Sequence, residues 1–180
     1  MSQLDGNAQH MRTAAAMLLT LPGQPFIYYG EELGMRGRKP DPDLREPMRW
    51  HRDPTGPGES RWKHFSAGDS PDVSVDAQRD DPHSLLAWYR MLIDWRRESP
   101  VLRDGALSVP AIAHPHLAAW ELAGAGDRVL VVHNLSRKPQ TLKLTGPLAH
   151  FSQISHSSEP DARIAAGQLQ LPAYASVVLQ

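Results

Sequence analysis

The stretch 23–35, with the sequence GQPFIYYGEELGM, decides the fold class of this chain. Its first part, residues 25–29, is a short apolar and aromatic run between proline and glycine, and such a run predicts a buried strand. Gly30, Glu31 and Glu32 follow directly, so the predicted strand ends in a tight turn that carries two carboxylates. Catalytic and binding groups lie at the carboxyl ends of buried parallel strands. The stretch therefore predicts an α/β architecture with a substrate-lining loop after the strand.

A helix precedes this predicted strand. Asn7 or a neighbour can cap it, and apolar residues recur at helical spacing from Met11 to about Thr20. A helix followed by a buried strand is half of a βαβ crossover, and no strand comes before the helix. A lone buried strand has no ladder partners for its backbone groups. The sequence therefore predicts only the tail end of a parallel α/β domain.

A long irregular segment and a second helix follow. Residues 35–80 are rich in Pro, Gly, Asp and Arg and show no sustained period, which is typical of a functional loop. Asp81 and Pro82 predict an N-cap and a first helical position, and the helix is expected to end near Ser99. Its predicted inner face consists of Leu85, Leu86, Tyr89, Leu92, Ile93 and Arg96.

The remainder of the chain consists of short apolar runs separated by turn signals. Strands are predicted at 106–109, 117–122, 128–134, 140–144, 151–154, 168–171 and 175–179, with turns at 124–127 and 134–136. Strands of this length and spacing are typical of an antiparallel sandwich. Val129, Val131, Leu142 and Val177 are predicted to face one shared core, and Trp120 is expected to be a core residue as well.

Composition excludes several classes of partner. The 180 residues carry a net charge of −1, so there is no charge excess for nucleic acid or for an anionic membrane surface. The absence of cysteine excludes disulfides and thiolate sites but leaves the cellular compartment open. His114 and His116 are the closest pair of histidines, and two further ligands of suitable spacing are lacking. We therefore predict neither a cofactor nor a metal site in this chain.

Two motifs resemble those of a known family. The pattern G-x-P-x-x-Y-Y-G-x-E at 23–32 resembles the segment that covers the last barrel strand in the α-amylase family (glycoside hydrolase family 13). Residues 41–50, DPDLREPMRW, resemble the R-x-P-M-x-W loop that follows this strand. The second helix is similar to the closing helix of the family, and 171–179 is similar to the last strand of its C-terminal sandwich. The resemblance implies the terminal piece of a (β/α)8 TIM barrel over 1–104, followed by an antiparallel β-sandwich domain over 105–180.

The resemblance also implies a reaction for the parent enzyme, which is retaining hydrolysis, or transfer, at α-glucosidic bonds of α-glucans or malto-oligosaccharides. This reaction needs a carboxylate nucleophile and a carboxylic acid on either side of the scissile bond. The family motifs that supply them, and the N-H-D motif that assists them, do not occur in the sequence. We therefore assign no catalytic residue and expect the chain alone to be inactive. Its expected partners are the N-terminal portion of the barrel and the glucan, and its uncovered strand edge is expected to favour self-association.

Substrate binding is assigned to Arg45, Tyr29, Glu32 and Trp50. A guanidinium can clamp sugar hydroxyls, and aromatic rings offer flat apolar faces to a sugar. Three structural alternatives stay open: Arg45 forms an ion pair that holds the loop, one of the two glutamates caps the turn or pairs with an arginine, and one of the two tyrosines is plain core. The alternative function is a non-catalytic carbohydrate-binding or scaffold module, and a third possibility is a fragment without activity.

Overall fold

The computed structural model describes residues 4–37, 39–63, 70–124 and 126–180. Its helices are α1 (Ala8–Thr20), α2 (Val75–Gln78), α3 (Leu85–Glu98) and α4 (Pro100–Asp104), with 3-10 helices at Glu31–Leu33, Asp41–Leu44 and Gly146–Leu148. Its strands are β1 (Ala106–Ser108), β2 (Leu117–Gly124), β3 (Asp127–Asn134), β4 (Gln140–Lys143), β5 (Ile154–Ser157), β6 (Arg163–Ala165), β7 (Gln168–Leu171) and β8 (Ser176–Leu179). No helix in these ranges is both long and apolar enough to cross a membrane.

The described residues form two compact units. The first unit comprises the residues up to Met11 together with Pro25–Ile93, and the second comprises Arg12–Gln24 and Asp94–Gln180. The proposed domain division into 1–104 and 105–180 stays a prediction.

The second unit contains two antiparallel sheets. Five strands lie in the order β1-β2-β3-β8-β5, and three lie in the order β4-β7-β6. Between the sheets lies an apolar core with Phe151 at its centre, 1% exposed. The core residues are Leu130, Val132, Leu142, Leu144, Leu148, Phe151, Leu169, Leu171, Ala175, Val177 and Leu179. The predicted antiparallel sandwich is confirmed. The prediction of one shared core is wrong, because Leu142 and Val177 lie in this core, whereas Val129 and Val131 lie in a second one.

The outer face of the five-stranded sheet is also covered. A second core joins Val101 and Leu102 of α4 to Trp120, Leu122, Val129, Val131 and Val178 of the sheet, with Met17 and Trp95 packed against it. Both faces of β3 are therefore buried, which explains why its residues Val129, Leu130, Val131 and Val132 form a continuous apolar run.

Most of the predicted strands are observed with ends shifted by at most two residues. Two details differ. The strand expected at 151–154 lies at Ile154–Ser157 instead, and β6 was not predicted. In β6 only Ile164 is a large apolar residue, so the segment shows no alternation that sequence reasoning can detect. Ala125, part of one predicted turn, lies outside the described residues.

A buried arginine closes the C-terminal end of α1. The Arg96 guanidinium donates to the backbone carbonyls of Leu19 at 2.8 Å, Leu21 at 3.0 Å and Gly23 at 2.6 Å. The last carbonyls of a helix have no intrahelical donor and attract positive charge, so Arg96 satisfies them and complements the helix dipole. Burial lowers the pKa of Arg96 from its usual value.

The predictions for the helix ends are partly correct. Asn7 caps α1, because its Oδ1 accepts from the backbone nitrogens of Gln9 and His10 at 2.9 and 3.2 Å. The prediction that Asp81 caps the second helix is wrong. Ser84 caps α3, its Oγ accepting from Ala87 N at 3.0 Å, while the side chain of Asp81 caps the preceding turn by accepting from the His83 nitrogen.

The first unit contains little regular structure, and the buried strand predicted at 25–29 is absent. Residues 25–28 have no assigned secondary structure, and Phe26, Tyr28 and Tyr29 are 83%, 56% and 44% exposed. No strand in the described part of the chain pairs with them. An extended apolar segment needs ladder partners to become a buried strand, so its sequence alone does not suffice. The expectation that one of the two tyrosines lies in the core is also wrong.

Candidate functional site

The two adjacent glutamates lie on a short turn that two glycines delimit. Gly30 and Gly34 flank the 3-10 helix Glu31–Leu33 with φ values of +85° and +80°. A Cβ on Gly30 would also lie 2.5 Å from Met35 Sδ, so glycine is required there for space as well as for backbone conformation. The two glutamates therefore lie on a tight helical turn and not on the opposite faces of a strand.

Glu31 has a structural partner. The hydroxyl of Tyr89 on α3 donates to Glu31 Oε1 at 3.1 Å. Burial, reinforced by the charges of Glu31 and Glu32, raises the pKa of Tyr89, which keeps its hydroxyl protonated as a donor. One open alternative was that a glutamate of this turn caps the turn or pairs with an arginine, and the described partner of Glu31 is a tyrosine.

Gln78 fixes the other side of the same turn. Its Nε2 donates to Leu33 O at 2.9 Å and to Asp72 O at 3.0 Å, and its Oε1 accepts from Leu86 N at 3.1 Å. One amide therefore joins the turn, the irregular segment and the first turn of α3, so the glutamates are carried by a well-anchored backbone.

Glu32 differs from Glu31. Its side chain is partly buried, and among the described residues no hydrogen-bond donor reaches its buried Oε2. Because this oxygen is buried, a ligand does not reach it in this structure, and the assignment of Glu32 to substrate binding stays a prediction.

Tyr29 and Arg45 lie close together. The hydroxyl of Tyr29 donates to Glu46 O at 2.9 Å, and its ring centroid lies 4.9 Å from that of Tyr28. Burial raises the pKa of Tyr29, with smaller contributions from Tyr28 and Glu46, while the nearby charge of Arg45 opposes the rise. Tyr29 thereby attaches the turn to the loop 41–50 that contains Arg45, called the arginine loop below.

Arg45 is exposed at the end of the 3-10 helix Asp41–Leu44. No described residue forms an ion pair with its guanidinium, and the choice between substrate binding and a loop-holding salt bridge stays open. Lys63 holds this loop by an ion pair to Asp43 Oδ1 at 2.7 Å and a hydrogen bond to the carbonyl of Pro42.

Trp50 is half exposed, and its backbone is fixed by a buried acid. Glu59 is 8% exposed, and its Oε1 accepts from Trp50 N at 2.8 Å and also from His51 N. Beside the indole lies a pocket of about 320 Å³, lined by Trp50, His51, Pro57, Gly58, Val75 and Arg79.

The structure thus brings two of the four assigned residues together, Tyr29 and Arg45. No described contact joins Glu32 or Trp50 to that pair. Within the described ranges no group of three or more His, Asp or Glu side chains is arranged to hold a metal ion. Sequence reasoning missed Gln78 and Glu59, and no local pattern identifies either, because their partners lie 6 to 45 residues away.

Comparison with known proteins identifies the family. Residues 1–105 match the family model of the α-amylase catalytic domain, which is more than half of the chain. The chain belongs to the α-amylase family. Residues 117–178 match a second family model, the C-terminal domain of the α-amylase SusG.

The relatives of this α-amylase-family chain are much longer than it is. It is 31% identical to the α-amylase SusG of Bacteroides thetaiotaomicron over 99% of its length, and 33% identical to α-amylase 3 of Dictyoglomus thermophilum over 75%. Among solved structures, the α-amylase from H. orenii superposes on 99% of the chain with a TM-score of 0.84 and 33% identity. The chain spans 27% of each of the two relatives and 36% of the solved α-amylase.

Proposed function

We propose that this chain is the portion of an α-glucan-active glycoside hydrolase that lines one side of the substrate site and carries the C-terminal sandwich, while the catalytic carboxylates come from other residues. The observation that carries the proposal is the pairing of Tyr29 with the arginine loop. A segment resembling the last barrel strand is followed by a glycine-bounded turn, and the Tyr29 hydroxyl attaches that turn to the loop bearing Arg45. Such a loop at the end of a barrel strand is where substrate groups are contacted.

The surroundings of Arg45 and Tyr29 support the roles assigned to them. Arg45 offers several donors in a fixed plane to sugar hydroxyls, and its guanidinium is not engaged by any described acid. Tyr29 orients the loop through its hydroxyl and presents part of its ring. Glu32 lies on the same turn, but its Oε2 is buried in this structure. Trp50 has no described contact with Tyr29 or Arg45 and presents its half-exposed indole to a sugar ring at a separate position.

The carboxylates of this region are poorly suited to replace the catalytic pair. Retaining hydrolysis needs two carboxyl groups that face the same bond from opposite sides. Glu31 is engaged by Tyr89, Asp43 is engaged by Lys63, and Glu46 is 3% exposed. None of these three groups is therefore free to act on a bound glucan.

A chimeric enzyme tests the proposal. The segment of the solved H. orenii α-amylase that this chain matches would be replaced by this chain, since the fold similarity extends over 99% of it. We expect the chimera to hydrolyse starch, and Arg45→Gln in the chimera to lower kcat/KM about tenfold, the effect of one lost charge-assisted contact.

Trp62→Ala is the matched control, because Trp62 is 69% exposed and has no assigned role. A folded chimera without activity, or one in which Arg45→Gln and Trp62→Ala have equal effects, contradicts the proposal.

One observation favours the alternative function, a non-catalytic carbohydrate-binding or scaffold module. The pocket beside Trp50 is built from residues of this chain alone and is separate from the contact between Tyr29 and Arg45. A chimera without activity and a chain that binds sugar would together select this alternative.

A further inference from the structure

We propose that the pocket beside Trp50 is a non-catalytic binding site for one glucosyl unit of an α-linked oligosaccharide. The ligand class rests on the proposed function, whereas the existence of the site rests on the geometry of the pocket. Its six lining residues come from the irregular segment and from α2 with the residue that follows it.

The shape and lining of the pocket suit a sugar ring. Its volume of about 320 Å³ is at the lower end of the range for small-molecule sites, which fits one or two rings rather than a long chain. The indole of Trp50, 50% exposed, offers a flat apolar face, and Val75 and Pro57 add apolar walls. A pyranose has an apolar C–H face and a hydroxyl edge, and it stacks on such an indole through the former.

Arg79 supplies donors for the hydroxyl edge. It directly follows α2, and its backbone nitrogen donates to Val75 O at 2.8 Å, which fixes the start of its side chain. No side-chain or backbone acceptor in the described ranges engages its guanidinium. His51 forms a wall instead of a donor, because its Nε2 lies 3.0 Å from Pro57 O and its Nδ1 lies 3.5 Å from Asp76 Oδ2.

Hydrogen bonds on two sides fix the backbone at Trp50 in the structure without a ligand. Glu59 accepts from the backbone nitrogens of Trp50 and His51. On the other side, Val75 N donates to Arg49 O at 3.1 Å and Asp76 N donates to Trp50 O at 3.0 Å, which attaches the first residues of α2 to the backbone at Trp50. A site that is already ordered loses little conformational entropy on binding.

The charges of the pocket favour a neutral ligand over an anion. Arg79 is the sole arginine or lysine among its six lining residues, and the carboxylate of Asp76 lies beside His51 at the same wall. Anion sites use several converging donors or cations, whereas one guanidinium over an apolar floor matches an uncharged, amphipathic ring.

Calorimetric titration of the full chain tests the proposal, with maltotriose as the α-linked ligand and cellotriose as the β-linked comparison. We expect maltotriose to bind with a Kd of the order of 1 mM, as expected for about a dozen buried ligand atoms. Trp50→Ala should weaken binding at least about fivefold, and Arg79→Gln about threefold to tenfold.

Three variants make the test specific. Trp62→Ala removes another exposed indole and should leave the affinity unchanged. Glu59→Gln keeps an oxygen acceptor for the two backbone nitrogens and should retain binding, whereas Glu59→Leu should weaken it as Trp50→Ala does. Arg79 is exposed, so Arg79→Gln remains informative if a core substitution unfolds the chain, which circular dichroism would report.

The outcomes separate this proposal from the proposed function. No maltotriose binding up to about 50 mM, about fifty times the expected Kd, overturns the pocket proposal, as does equal binding by wild type, Trp50→Ala and Arg79→Gln. An active chimera combined with either result leaves the proposed function standing. Binding that depends on Trp50 and Arg79, combined with an inactive folded chimera, supports the pocket and rejects the proposed function.

Discussion

His133 on β3 should make the sandwich sensitive to acid. Its side chain is fully buried, its ring centroid lies 4.6 Å from that of Trp120, and its Nδ1 lies 2.8 Å from Ser176 Oγ. No described residue bonds to its other ring nitrogen. Burial lowers the pKa of His133 from 6.5 to about 3, so the folded state holds a neutral ring.

The sign and size of the effect follow from this pKa. The unfolded chain takes up a proton on this ring near pH 6.5, and the folded chain does so only near pH 3, so the unfolded state binds more protons between these values. The free energy of unfolding therefore falls as the pH falls through this window. The expected loss from His133 is about 2 kcal/mol at pH 5 and about 5 kcal/mol below pH 3.

Two other groups of the same unit also have pKa values that differ from their usual values. Burial lowers the pKa of His156, which acts in the same direction as His133. Burial raises the pKa of Glu159, and this group loses its stabilising effect as the pH rises through 4.5 and above. The contribution of His133 is therefore measured as a difference between variants rather than from wild type alone.

Urea denaturation followed by circular dichroism at about pH 7 and pH 5 measures this difference. His133→Asn removes the titrating ring but keeps a polar atom near Ser176. Between pH 7 and pH 5, the free energy of unfolding of this variant should fall by about 2 kcal/mol less than that of wild type. His116→Asn removes an exposed histidine of the same unit and is the control for the loss of a histidine as such. If His133→Asn loses as much stability on acidification as wild type does, the reasoning fails.

Three further predictions concern the whole chain. The purified chain should not hydrolyse starch, maltose or an aryl α-glucoside above a buffer control, because no catalytic pair is assigned in it; activity that Glu31→Ala or Glu46→Ala abolishes would contradict this. Arg96→Met should lower the free energy of unfolding by about 3 kcal/mol in urea denaturation, because three carbonyls lose a charged donor. Arg97→Met, at an exposed arginine, is the control, and equal effects of the two substitutions would refute the stabilising role of Arg96. The exposed apolar segment should cause self-association in light scattering, and Phe26→Ser should reduce it; a monomer with strongly protected amides at 26–29 would contradict this.

The sequence was sufficient for the sandwich but not for the segment that resembles a barrel strand. Strand β7 alternates in burial along its length, and this period is visible in its sequence QLQL. Residues 25–29 have the composition of a buried strand, yet burial depends on neighbours that must pair with both edges. Whether such a segment forms a strand of a parallel sheet thus depends on the neighbouring strands as well as on its own sequence.

The candidate site divides in the same way. The positions of Glu31 and Glu32 after a glycine turn could be predicted, because Gly30 and Gly34 are local signals. The partners that hold the site could not. Glu59 reaches the backbone of Trp50 across 9 residues, and Gln78 reaches Leu33 across 45, and no periodic pattern encodes such contacts.

The burial of β3 on both faces has a consequence for how this sequence can be divided. The family model of the catalytic domain matches the chain as far as residue 105, but the outer face of the five-stranded sheet is covered by Leu102, Val101, Met17 and Trp95, all of which precede that position. A segment starting at Gly105 would keep its inner core and present Trp120, Val129, Val131 and Val178 to water. The match to the catalytic-domain model and the packing of the sandwich therefore divide this chain at different positions, because the outer cover of the sheet lies within residues 1–105.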